Sequence, residues 1–107
     1  MQSMHPLSES FGTKSTTFYT QMQDIGRQYG FSYQINCYNS SGITATVTAQ
    51  GSNDKVNFAD TTAALTISGD ITDLINFDAA HFRYCRLKVA ISAGSAKFDT
   101  MFASKGG

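Results

Sequence analysis

The run FRYCRLKVAIS, residues 82–92, is the one stretch long and apolar enough to serve as a central β-strand. Cys85, Leu87, Val89 and Ile91 alternate with Tyr84, Arg86, Lys88 and Ala90. This period of two gives a strand one face for a core and one for water. A strand of this kind is stable only when other strands flank it and something covers its apolar face, so the rest of the chain has to supply both.

Other runs share the period. Phe31, Tyr33, Ile35 and Cys37 alternate with Ser32, Gln34, Asn36 and Tyr38, and Ile43, Ala45, Val47 and Ala49 alternate with Thr44, Thr46, Thr48 and Gln50. Asn39-Ser40-Ser41-Gly42 lies between them and contains residues that adopt positive φ at little cost, so the two runs are expected to form a β-hairpin. Ala63, Leu65 and Ile67 mark a strand over residues 62–68. Gly69-Asp70 is a turn, and Ile71, Ile75 and Phe77 mark a strand over 71–77 whose inner face Asp73 interrupts. Ser92-Ala93-Gly94-Ser95 reads as a turn that returns the chain into a last strand over 96–103, with Phe98 and Phe102 on one side. Met22, Ile25 and Tyr29 fall at helical spacing, but Gly26 and Gly30 limit that segment to a helical turn. These short strands leave no room for crossover helices. They predict an all-β protein, an antiparallel β-sandwich of jelly-roll-like form occupying residues 21–107.

Residues 1–20 have no clean period. They are rich in Ser and Thr, with Met4, Leu7, Phe11, Phe18 and Tyr19 scattered among them and the only proline, Pro6. STTFYT reads as a short strand, and the whole segment reads as an extended N-terminal arm. An arm of this composition orders only by lying across something, most economically a neighbouring subunit.

Several function classes are excluded by composition. The 107 residues carry 8 Lys+Arg and 8 Asp+Glu, without the basic excess of a chain that binds nucleic acid through its phosphates. No window is apolar for the ~20 residues of a membrane helix, and the first residues lack the pattern of a secretory signal, so a soluble protein made in a cytoplasm is expected. Cys37 and Cys85 have no CxxC spacing and read as small buried hydrophobes kept reduced, neighbours if both point into the core. No nucleophile elbow, Gly-rich phosphate loop or metal-ligand spacing is present, so no catalytic residue, metal or cofactor is expected. His81 near Asp78 reads as a turn or surface histidine. The oxygen-rich Asn53, Asp54, Asn57 and Asp60 read as turn chemistry rather than a calcium loop, and Thr44, Thr46 and Thr48 as an outward ladder favoured by β-propensity. Arg83, Arg86 and Lys88, interleaved with Tyr84, form a local basic cluster in a chain poor in charge. That mixture of Arg and Tyr is favoured at protein interfaces.

Two segments together resemble a known pattern. Gln50-Gly51-Ser52-Asn53-Asp54 followed by Phe58, and further on Phe82-Arg83-Tyr84-Cys85-Arg86-Leu87-Lys88-Val89, are similar to the QGSND…W…RYVRL signature of discoidin-like (coagulation factor 5/8 type C) β-sandwiches. The same signature occurs in short structural proteins of tailed bacteriophages that often end in a Gly-Lys-Gly-like tail, to which Ser104-Lys105-Gly106-Gly107 compares. The resemblance covers residues 43–107. Lys55 stands where Gly is usual, and Phe58 where Trp is usual. In this pattern Gly51 and Asn53 are expected to permit a tight turn, and Phe58 to seat it on the core.

The phage resemblance implies a non-enzymatic virion protein assembled in the host cytoplasm: a capsid decoration or cement protein, or a head-fibre or tail-associated component. It would be a homo-oligomer, a trimer favoured, holding the major capsid protein or other virion proteins through the arm (Phe11, Phe18, Tyr19) and the basic strand face (Arg83, Tyr84, Arg86, Lys88). The discoidin-like resemblance implies an alternative, a carbohydrate-binding module using Asn53, Asp54 and Asn57 of the 51–60 loop.

Overall fold

The computed structural model describes residues 7–25, 30–77 and 82–105, which form seven strands and, among the described residues, no helix. Two of the strands are long: β4 (Gly30–Ser52) and β7 (Tyr84–Lys105). They pair antiparallel over their whole lengths, from Gly30↔Lys105 to Ser52↔Tyr84. Each passes through a corner, where the register shifts between Tyr38 and Ala45. Asn39, Gly42 and Gly94 all have positive φ there, of 52°, 60° and 74°.

The corner divides the two-strand ribbon into two sheets. In the first, β1 (Leu7–Lys14) flanks the C-terminal half of β7, and β6 (Ile71–Phe77) flanks the N-terminal half of β4. In the second, β2 (Phe18–Tyr19) and β3 (Gln23–Asp24) flank the N-terminal half of β7, and β5 (Ala59–Ile67) flanks the C-terminal half of β4. The apolar alternation then places Phe31, Tyr33, Ile35, Cys37 and Phe98 of the first sheet against Ala45, Val47, Cys85, Leu87 and Val89 of the second, all buried. Groups that meet across the interior sit at matching distances from the corner. Phe18 meets Phe98 with ring centroids 5.2 Å apart, the Tyr33 hydroxyl lies 3.8 Å from Cys85 Sγ, and at the open end Phe31 and Phe77 pack on Phe82 at 6.1 and 5.5 Å. The protein is an antiparallel β-sandwich.

Three expectations from the sequence are corrected. Residues 31–38 and 43–50 are not a hairpin: both pair with β7, and the Asn39–Gly42 segment bends one continuous strand instead of reversing it. Ser92–Ser95 likewise does not return the chain, because it is the matching bend in β7. A positive-φ residue inside a strand produces a bulge as readily as a turn, and the local signal for the two is the same. The helical turn expected after Gln21 is also corrected, because Gln23–Asp24 is strand β3 paired with β7; residues 26–29, like His5, Asp78 and His81, lie outside the described residues.

From residue 7 onward the N-terminal segment, expected as an arm outside the sandwich, supplies strands β1 and β2 and lies across its own chain. Gln21 N donates to Glu9 Oε1, Thr20 N donates to Leu87 O at 3.0 Å, and Leu87 N donates to Thr20 Oγ1 at 2.8 Å, so the passage from β1 to β3 is fastened to β7. Cys37 and Cys85 are free and buried, on opposite sheets. Burial raises both thiols, Cys85 to about 12, so both stay protonated and poorly nucleophilic at neutral pH.

At the corner the two strands nearly touch. A Cβ on Gly94 would overlap the carbonyl of Gly42, whereas a Cβ on Gly42 would meet nothing within 4 Å. Gly94→Ala therefore combines positive φ with a backbone clash and is expected to cost about 3 kcal/mol or more, and Gly42→Ala only about 1 kcal/mol, from φ alone. Urea unfolding followed by far-UV circular dichroism measures both.

Candidate functional site

The end of the second sheet farthest from the corner collects most of the chemistry-bearing side chains. Cross-strand register puts three polar residues abreast on its outer face, Asp60 of β5, Gln50 of β4 and Arg86 of β7. Gln50 Nε2 donates to Asp60 Oδ1 and Arg86 Nε donates to Gln50 Oε1, each at 2.8 Å. The two bonds satisfy the buried Gln50 amide and fix the direction of the Arg86 side chain. Aromatic rings complete the clamp: the guanidinium carbon lies 4.2 Å from the centroid of Tyr19 and 4.0 Å from that of Phe58. Contacts this close are cation–π interactions. Lys88 follows two residues on, pairs in register with Tyr19 and Thr48, and is half-buried on the same face.

Two positions differ from expectation here. Phe58 does not seat the loop on the core; it packs on the outer face against Arg86. Gly51 does not make the turn. It stands at a close approach where a Cβ would lie 2.6 Å from the ring of Phe82, so the missing side chain makes room for the aromatic plug of the sandwich's open end.

The remaining predicted residues lie around this clamp. Arg83 is exposed and forms an ion pair with Asp24 at 3.2 Å, an exposed pair of the kind that adds little stability. Tyr84 lies on the outer face and is nonetheless buried, with the Lys55 and Arg83 cations 5.3 and 5.5 Å from its ring. Of the arm aromatics, Phe18 is in the core, Phe11 is half-buried against it at 4.8 Å, and Tyr19 is 45% exposed. The structure thus brings Tyr19, Arg86 and Lys88 together, and keeps Phe11 and Phe18 apart from them. Gln50, Asp60 and Phe58 were not expected at this site. Alternation indicated that Gln50 faces outward, but only strand register shows which residues stand beside it.

The 51–60 loop is held by one carboxylate. Asp54 Oδ1 accepts from Asn57 N at 2.8 Å, Val56 N at 2.9 Å and Ser52 Oγ at 2.9 Å, while Oδ2 accepts from Asn57 Nδ2 at 2.9 Å. Asn53 Oδ1 accepts from Arg83 N at 2.9 Å, which ties the loop to the start of β7. Lys55 has φ 69°, the left-handed conformation that favours glycine. Among the described residues no pocket opens and no three metal-ligating side chains converge.

No protein-family model matches the chain, and no curated protein matches it. Solved structures share its fold at very low identity. The crystal structure of the SPBc2 prophage-derived protein YomS is similar over 97% of both chains, with TM-score 0.60 and 9% identity. A structure from Bacillus endospore appendages, described as a novel family of disulfide-linked pili, is similar over 98% of this chain and 88% of that one, with TM-score 0.60 and 7% identity. The crystal structure of PirA is similar over 97% of this chain and 94% of that one, with TM-score 0.52 and 15% identity.

The amide N–H groups of Asn57 and Val56, with the side chains of Asn57 and Ser52, hold the Asp54 carboxyl well below the usual carboxylate range. A depressed folded-state pKa contributes stability that is complete above the unfolded value of about 3.9 and is lost as pH falls toward the folded one. The stability difference between the wild type and Asp54→Ala should therefore be constant from pH 7 to about 4 and shrink below it. Urea unfolding across that range measures the difference.

Proposed function

We propose that this protein is a non-enzymatic structural component of a bacteriophage virion, a capsid decoration or cement protein. In this reading it is a homo-oligomer, a trimer, that grips its neighbours, the major capsid protein among them, through exposed residues of its N-terminal segment and the basic face of β7.

The observation that carries the reading is how the polar groups are used. The Asp54, Asn53 and Asn57 bonds hold a loop, the Gln50 bonds hold a sheet end, and the Glu9 and Thr20 bonds hold the edge strands, so little polar chemistry is left to act on a substrate. What remains at the surface is suited to contact: Tyr19, Met22, Tyr38, Val56, Leu74 and Met101 are large apolar side chains exposed to water, and Arg86 and Lys88 are cations without a carboxylate partner among the described residues. Aromatic, Met and Arg side chains are enriched at interface centres. The shared fold with a prophage-derived protein and with an appendage subunit supports a part in an assembled structure. The pilus link by disulfides has no evident counterpart here, where both cysteines are buried.

The alternative, a carbohydrate-binding module, rests on Asn53, Asp54 and Asn57. It has less support, because the side-chain oxygens and amide it needs already bind within the loop.

Light scattering on the purified protein tests the reading. The expected mass is three times the 11.6 kDa of the chain, falling to the single-chain mass in a variant lacking residues 1–6 and carrying Tyr19→Ser and Met22→Ser. A monomeric wild type that binds glycans, and loses them on changing Asn53 and Asp54, would overturn it. Removing all of residues 1–20 is not an equivalent test, because it would delete β1 and β2 and take Phe18 out of the core.

A further inference from the structure

The Arg86 clamp has more order than a solvated surface arginine needs. Tyr19 and Phe58 cover the guanidinium, and Gln50 takes Nε–H. This leaves the two Nη groups, which have no hydrogen-bond partner among the described residues. Long cationic side chains normally lose considerable rotamer entropy on binding. Here the chain's own contacts have already fixed the fork, which is the arrangement that accepts a carboxylate with two parallel N–H···O bonds. Lys88, on the same strand face, adds a second positive charge beside Tyr19.

The identity of the ligand follows from charge. Each described carboxylate already accepts a hydrogen bond inside the chain: Glu9 from Gln21, Asp24 from Arg83, Asp54 from its loop, Asp60 from Gln50, Asp70 from Ser40, Asp73 from Leu74 and Asp99 from Tyr38. Among the described residues only Arg83, of the cations, has a carboxylate partner. Among the described residues the carboxylates are engaged within the chain while Arg86 and Lys88 have no carboxylate partner, so an acidic side chain of a different protein is the better-matched source. A polyanion such as nucleic acid or a sulfated glycan would call for a broad basic field, whereas the chain's formal net charge is +0. Tyr19, which covers one side of the guanidinium, is itself 45% exposed, and aromatic side chains of this kind are enriched at interface centres.

From this we infer that Arg86 is the receptor for an Asp or Glu side chain of a different protein, bound end-on through both Nη groups, with Lys88 as the supporting charge. The inference rests on the proposed contact role of the β7 face and narrows it to one residue and one chemical group.

The test uses isotope-labelled full-length protein and a short peptide with a single central Glu flanked by Leu residues, compared at fixed ionic strength with its Gln counterpart. Addition of the Glu peptide should shift the Arg86 side-chain Nε–H and the Tyr19 and Lys88 amides along a saturable curve, and the Gln peptide should not. Arg86→Lys keeps the charge and loses the fork, so it should weaken binding by roughly tenfold. Lys88→Gln leaves the clamp whole and should weaken binding by roughly twofold to fivefold while preserving the pattern of shifts, which keeps the test decisive if Arg86→Lys does not fold. Equal response to both peptides, or shifts spread over Lys14 and Lys97 as well, would overturn the inference, as would binding of a heparin fragment in place of the Glu peptide. Solution mass separates the two levels. A trimer that ignores the Glu peptide overturns the carboxylate site alone, and a monomer that binds it supports the site while overturning the oligomer.

Discussion

The backbone crossing at Gly42 and Gly94 determines most of this structure. Two antiparallel strands can run through a corner together only if both bend at the same level, and close packing of the two backbones there leaves no room for a side chain on Gly94. Once the ribbon of β4 and β7 is bent, the face that carries Phe31, Tyr33 and Ile35 must oppose the face that carries Val47, Leu87 and Val89. The other strands then act as flanks. This is why one hydrophobic alternation, continued through the bend on both strands, builds a two-layer core from 107 residues.

The far end has no connecting corner and is closed by other means. Phe82 enters between the layers against Phe31 and Phe77, and Gly51 lets its ring lie flat on the strand. Arg83 joins this plug to β3 through Asp24 and to the 51–60 loop through Asn53. The QGSND and RYCR segments are adjacent in space because Gln50, Gly51 and Ser52 pair in register with Arg86, Cys85 and Tyr84. The Arg86 clamp lies on the outer side of the same junction. Its precision depends on β4, β5 and β7 being in register, so the candidate contact residue is carried by paired strands and not by a loop.

Strand character was legible because it depends on a local period. The faces of β4 and β7, the strands over 62–68 and 71–77 and the inward Phe98 and Phe102 all follow from alternation. Connectivity was not legible to the same degree. Asn39–Gly42 and Ser92–Ser95 have the composition of turns, and only their pairing with one another distinguishes a shared bend from two hairpins. At the candidate site, Arg86, Lys88 and Tyr19 could be selected by residue type. Gln50, Asp60 and Phe58 could not, because their roles arise from cross-strand neighbours and from a loop that folds over the sheet. Tyr84 shows the same limit: it points outward and is nonetheless buried, with two cations beside its ring.

The continuity of β4 and β7 is the claim on which both the core and the Arg86 site depend, and interstrand proton contacts measured by NMR test it most directly. The structure predicts contacts across Tyr33–Phe102 in the first sheet and Val47–Val89 in the second, with none between the backbones of Ile35 and Ala45. Strong contacts joining residues 31–38 to 43–50 would mean that the chain turns back at Asn39–Gly42, and would contradict this account.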